Sequence, residues 1–276
     1  MVNRFVFMKV FGLFFLAIFQ NLLVLAQPKK NTPIPWVPLR EGDVSSHWVV
    51  DRIIDTRLKI NKPLEGPGIP LWKLIETAIN NQNLKVYTHD SLTQLMTYQD
   101  IKKKTTYEYV IQIQSSPNEP FDVKDSVITE SIDWSNIKKF MIREHILFNK
   151  AEGRMFYRIE WIAPMYQPYI PGIKNVKEQP LCFIRYYDPN GLDTACFRNE
   201  AMMFKVFNPA LQSKALTFDD YFEMRMFEGH VVKENNTFGY ALKDFEALKD
   251  DPVWQMLHGQ EIKDDKHRQE IDQWEH

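Results

Sequence analysis

The sequence predicts an α+β fold: an antiparallel sheet with packed helices, a proline-rich N-terminal arm and a helical C-terminal tail. Three observations point there. Segments that alternate apolar and polar side chains crowd the middle of the chain, which marks half-buried strands. Leu71, Leu74, Ile75, Ala78 and Ile79 instead repeat at helical spacing. The last third opens on a helix-start signal, Thr217 followed three residues later by Asp220.

The first element is a secretory signal. Arg4 and Lys9 give a positive start, residues 10–25 are apolar except for Gln20 and Asn21, and Val24 and Ala26 are small residues of the kind that precede cleavage. An uncleaved anchor competes with this reading, because the run approaches the length that spans a bilayer. The Val-x-Ala site, with Pro28 and Lys29 after it, favours cleavage and a mature chain beginning at Gln27. No cysteine stands immediately after that site, so no lipid anchor and no direct membrane insertion is expected.

Cleavage after residue 26 leaves 250 residues, enough to bury a core without staples. It also leaves 32 basic against 36 acidic side chains, a net charge of −4. Nucleic acid would require a basic stripe, and the one dense basic run, Lys102-Lys103-Lys104, reads as a solvated loop or the guard of an edge strand.

Residues 27–46 carry Pro28, Pro33, Pro35 and Pro38 around Trp36, an extended arm that serves as a linker or packs on a neighbouring subunit. A core follows over residues 47–258. It begins with an element over 48–60 and the helix after Pro70, which Asn80-Asn81 can end. Strands fit residues 84–88 and 106–113. The best hairpin covers 137–162: Phe140, Ile142, Glu144, Ile146 and Phe148 alternate with Met141, Arg143, His145 and Leu147, and Ala151-Glu152-Gly153 supplies the turn. Pro164, Pro168 and Pro171 are expected to stop its return arm. Further strands fit 181–187, 195–197 and 203–207, and helices fit 218–232 and 241–257. Residues 259–276 form a charged helical tail whose large apolar groups are Ile262, Ile271 and Trp274.

Cys182 and Cys196 flank Asp188-Pro189-Asn190-Gly191, a turn signal. A register centred on Pro189 sets the thiols opposite each other, whereas a turn with Gly191 as bulge residue leaves them diagonal and too far apart to bond. Both registers, and so a disulfide, stay open.

Little in the chain points to catalysis. The seven histidines are scattered, without H-E-x-x-H spacing. In Arg143-Glu144-His145, alternation puts Glu144 on the strand face opposite the other two. No nucleophile elbow and no phosphate-binding glycine loop is present. Asp219-Asp220 and Asp250-Asp251 stand where helices begin, and capping explains them. No metal, cofactor or nucleotide is implied. Aromatic residues are abundant instead, and Trp36 and Trp274 lie in the two segments least able to build a core. Tryptophan is enriched among interface anchors, which points to assembly.

Several segments resemble the GldN (PorN) family of gliding-motility and type IX secretion proteins of Bacteroidota. They are Asp51-Arg52-Ile53-Ile54-Asp55-Thr56-Arg57 with Asn61-Lys62-Pro63-Leu64, then residues 137–144, Val206-Phe207-Asn208-Pro209, residues 217–227, and Val232-Lys233-Glu234-Asn235-Asn236. The closing Glu270-Ile271-Asp272-Gln273-Trp274-Glu275-His276 is similar to that family's terminus but departs from it at Ile271, Gln273 and His276. The resemblance implies a non-catalytic periplasmic ring subunit held at the inner face of the outer membrane by partners. Those partners are a lipoprotein like GldK (PorK) and a motor component like GldM (PorM). A periplasmic enzyme or binding module whose site converges only in three dimensions is the alternative. Trp36, Trp274, Glu270 and Asp272 are the candidate interface residues. The motif charges Asp55, Arg57, Arg225, Lys233 and Glu234 either pair to fix the fold or set register between subunits, with pairing favoured for Asp55 and Arg57.

Overall fold

The computed structural model describes residues 33–116, 119–170, 173, 176–206, 216–236, 240–245 and 247–274, with side chains left out at 114–116, 119–123, 267 and 269–274. The expected signal at 1–26, the arm up to Thr32, and the side chains of Glu270, Asp272 and Trp274 lie outside what is described.

Alternation in the sequence becomes a ladder. β1 (Val44–Asp55), β6 (Lys139–Asn149) and β7 (Arg154–Tyr166) are long antiparallel neighbours. The sheet runs β12-β1-β6-β7-β9-β2-β3, with β8 also on β7. Its short members are β2 (Val86–Tyr87), β3 (Leu95–Met96), β8 (Gln179–Pro180), β9 (Phe183–Arg185) and β12 (His230–Glu234). The β6–β7 turn closes through Gly153, at φ +65°, whose N–H reaches the Asn149 carbonyl. Glycine suits that left-handed position.

One face of the sheet holds two apolar clusters. Ile54, Phe140, Ile142 and Ile162 meet Leu71, Leu74, Ile75, Ala78 and Ile79 of α1 (Leu71–Asn80), as its spacing predicted. Farther along the same face, Val50, Ile146, Phe148 and Val231 meet Leu242 and Ile262. On the opposite face Trp161 and Ala163 pack with Tyr87 and Leu92.

Several expectations are corrected. β7 does not stop before Pro164 but runs through it to Tyr166: the proline has no N–H to offer, yet its carbonyl accepts the Leu181 N–H. Residues 195–197 are not a strand. Cys196 instead begins the short helix α3 (Phe197–Ala201), and the Asp188 carboxylate gathers the N–H groups of Asn190 and Asp193 into a loop where a hairpin was expected. The single helix over 218–232 breaks. α4 (Phe218–Glu223) ends, Arg225 takes φ +53°, and β12 forms because β1 offers it an open edge. The helix expected over 241–257 breaks too, into a 3-10 turn at Leu242–Asp244 and α5 (Pro252–Trp274). Proline is at home only in a first turn. Asp251 caps that helix by accepting the N–H groups of Val253 and Trp254.

Lys102-Lys103-Lys104 sits in the last turn of α2 (Tyr98–Thr105), where cations suit the helix dipole. β4 (Tyr107–Ser116) gains an unforeseen partner, β5 (Glu119–Glu130), and the two form a separate hairpin. A third small sheet joins β10 (Lys205–Val206) to β11 (Leu216–Thr217).

Candidate functional site

On the core face of β6 every second residue is buried: Phe140, Ile142, Glu144, Ile146, Phe148. Glu144 is the one carboxylate in that row and separates the two apolar clusters. Its side chain is fully buried. Arg52 of β1, itself 4 % exposed, donates from Nε to Glu144 Oε2 at 2.9 Å and from Nη1 to the Gly229 carbonyl at 2.9 Å. Arg225 takes the other carboxylate oxygen, Oε1, while its guanidinium lies 4.1 Å from the centre of the Tyr157 ring. Burial pushes the Glu144 carboxyl up, but Arg225 and Arg52 together outweigh burial and hold it below its ordinary value. With both oxygens taken by guanidinium groups, this carboxylate is built to hold elements together, not to move protons.

Gly229 belongs to the same arrangement. A Cβ there would lie 2.8 Å from both Arg52 Cγ and the Ile53 carbonyl oxygen. Glycine is what lets the chain pass over Arg52. At Gly259 of α5 a Cβ would lie 2.4 Å from the Val231 carbonyl oxygen, so the helix is seated directly on β12. Lys263 and Lys266 bridge from α5 to Glu228 and Glu234 at 2.7 and 2.6 Å.

The other sheet face is polar and more open. Arg143 grips Asp51 through Nε at 2.7 Å and Nη2 at 3.0 Å, reaches Asp90 at 3.0 Å, and stacks 4.8 Å from Trp161. Alternation therefore separates Glu144 from Arg143 and His145, as the sequence indicated. His145 joins a chain of its own: Nδ1 meets His47 Nε2 at 2.8 Å and Nε2 meets Glu160 at 3.1 Å. Burial, and then His145, lowers the His47 pKa. Among the described residues no group of three or more His, Cys, Asp or Glu could hold a metal ion. The histidine pair lines a cleft of about 350 Å³ with Trp36, Arg158, Arg185 and Tyr187.

Trp36 is not held apart from its own subunit, which corrects the expectation for the arm. Its indole lies parallel to Tyr186 and edge-on to Tyr187, with centroid separations of 6.5 and 4.9 Å, and its Nε1 donates to Glu223 at 3.1 Å. Arg158 adds a hydrogen bond to the Val37 carbonyl. Proline fixes the arm's path, but aromatic stacking anchors it.

The motif charges take different positions. Asp55 and Arg57 bond to each other, Arg57 Nη2 reaching Oδ2 at 2.6 Å, with the arginine side chain 58 % exposed. Such an exposed pair is worth about 0–1 kcal/mol. Arg225 and Glu234 make the bridges given above, while Lys233 pairs through its backbone with Asp51 of β1 and Ala241. Asp220 caps α4 in a reciprocal box with Thr217, as expected. Asp219 does not cap. It is buried against Arg198 at 2.7 Å, and burial pushes its carboxyl up to about 6 despite that arginine. Cys182 and Cys196 are free, buried thiols, each pushed up to about 12 by burial. Neither is poised as a nucleophile.

The family described as Gliding motility associated protein GldN matches residues 39–275. No curated protein matches the chain.

Proposed function

This chain belongs to the GldN family and so to the gliding-motility and type IX secretion machinery, and we propose that it serves there as a non-catalytic, periplasmic ring subunit. In this reading it self-associates, binds a GldK-like outer-membrane lipoprotein, and contacts the periplasmic part of a GldM-like motor component. The family match over residues 39–275 carries the proposal. The charges support it. Glu144, Arg52, Arg225, Asp51, Arg143, Arg198 and Asp219 are consumed in pairs that join one element to another. Among the described residues no helix is long and apolar enough to cross a membrane. In this reading attachment to the envelope falls to partners.

Cell fractionation tests the proposal. The protein should pellet with outer membranes and move to the soluble fraction when the lipoprotein is deleted. A protein that stays soluble while the lipoprotein is present would overturn the assignment. Trp274, Glu270 and Asp272 enter as proposed partner contacts. Substituting them should release the chain from membranes without lowering its melting temperature, and retention with all three replaced would remove them from the interface.

A further inference from the structure

The hairpin β4–β5 pairs with no other strand among the described residues, so its outer edges carry unpaired backbone donors and acceptors. A lone two-stranded hairpin is marginally stable in water, yet these strands are ten and twelve residues long. Val110 and Val127 face each other across the ladder and are 60 % and 62 % exposed. The segment is acidic: Glu108, Glu119, Asp122, Asp125 and Glu130 stand against the single cation Lys124.

β7 offers the counterpart. Its far half is covered by β8 and β9, and Glu160 gives its carbonyl to the Tyr186 N–H, but residues 154–159 pair only with β6 among the described residues. Beside that open edge lies the 350 Å³ cleft, where the two cations Arg158 and Arg185 outnumber its one carboxylate, Glu160. Arg185 Nε is buried there without an acceptor among the described residues. Arginine, tryptophan and tyrosine, here with Trp36 and Tyr187, are the side chains that anchor interfaces.

Strand and edge stand apart in one molecule. The hairpin is rooted at the other end of β7, where Tyr107 stacks on Tyr169 at 4.1 Å and both line a cavity with Met165. Ten residues of strand separate Met155 from Met165, about 33 Å. An acidic strand at one end and a basic open edge at the other suit a head-to-tail contact between copies. We propose that β5 of one copy docks along the open edge of β7 in a second copy of this chain, with its carboxylates over the Arg158–Arg185 cleft. Contacts of this kind close into rings or run on as filaments, whereas a two-fold contact stops at a dimer. The proposal rests on the self-association put forward above and adds the surfaces that carry it.

Disulfide trapping tests it. Cysteine is placed singly at each position from Lys124→Cys to Thr129→Cys, each combined with Phe156→Cys in the full chain, and envelopes are oxidised and run without reductant. Cys182 and Cys196 are buried and do not compete. The expected result is a ladder of dimers, trimers and larger species at alternate β5 positions, absent from each single variant. Monomer at every position, or a band that stops at dimer, overturns the proposal. Asp125→Lys gives a second test without cysteine. It should weaken self-association roughly tenfold or more in sedimentation of solubilised particles, at an unchanged melting temperature; an unaltered size distribution overturns the contact. Fractionation of the same cells separates the two proposals. A ladder without outer-membrane association keeps this contact and removes the machine assignment, and membrane association without a ladder does the reverse.

Discussion

Replacing Glu144 with glutamine removes one charge from the centre of the molecule and almost nothing from its volume. Arg52, with its side chain 5 % exposed, would then face a neutral amide and keep only the Gly229 carbonyl as a full partner. Breaking a buried pair by removing one member costs about 3–5 kcal/mol, because the surviving charge stays buried. In a domain of this size each kcal/mol moves the melting temperature by about 2–4 °C. Glu144→Gln should therefore melt about 6–20 °C below the parent in differential scanning calorimetry at pH 7. The pH dependence gives an independent check. The folded-state pKa of Glu144 is depressed, so its contribution is complete above its ordinary value of 4.5 and is lost as pH falls through the folded value. The two melting curves should accordingly converge on acidification. A catalytic carboxylate would behave differently, with melting unchanged and function lost. If Glu144→Gln melted within 2 °C of the parent at pH 7, the structural account of the triad would be wrong.

Trp36→Ala should cost about 1–3 kcal/mol, less than a fully buried aromatic truncation, because the ring is only partly covered yet stacks on Tyr186 and bonds Glu223; an unchanged melting temperature would mean the arm is not held there. Gly259→Ala should cost about 1–3 kcal/mol of overpacking and lift α5 from Val231, read as faster proteolysis within 252–274 while the hairpin β6–β7 stays protected; equal cleavage rates would contradict the close seat. The Asp219 carboxyl should titrate near 6 by carbon NMR. Since its folded value lies above its unfolded one, its contribution is fully present below about pH 4 and is lost as pH rises through 6. A titration at or below 4 would mean that Arg198 outweighs burial.

The β6–β7 hairpin was legible because β6 alternates cleanly and its turn is short, whereas β1 buries Val50, Asp51 and Arg52 in succession and read only as an element of no stated kind. The helix at 71–80 was legible because its apolar stripe is complete within ten residues. What misled was the stretch after Thr217. Helical propensity over 218–232 is real, but Val231 and Lys233 complete the edge of β1, and a strand edge rewards pairing more than a lone helix rewards continuation. Gly229 was the available signal, since glycine is unfavourable inside a helix, and in the structure a Cβ at that position would lie 2.8 Å from Arg52 Cγ. The turn at Asp188–Gly191 was also present, but the Asp188 side chain closes it on itself, so no hairpin forms to set the thiols opposite each other.

The buried triad could have been found in the same alternation that located the hairpin. The row Phe140, Ile142, Glu144, Ile146, Phe148 contains one ionisable group among four large apolar ones, and the row beside it contains Arg143 and His145. Hydrophobicity alone assigns the first row to the core. A carboxylate carried into a core must bring cations with it, so the row by itself predicts a buried cation beside Glu144. Which cation was not readable, because Arg52 and Arg225 are distant in sequence and reach Glu144 only through the β1 pairing and the left-handed turn at Arg225. The same logic sorts the remaining charges. Those whose partners are built into the sheet are committed to the fold, while Asp125 of the hairpin stands exposed and the cleft's Arg185 Nε has no acceptor among the described residues. Charges without an internal use are where a second molecule gains most by binding, since it finds groups that no neighbour within the chain already satisfies.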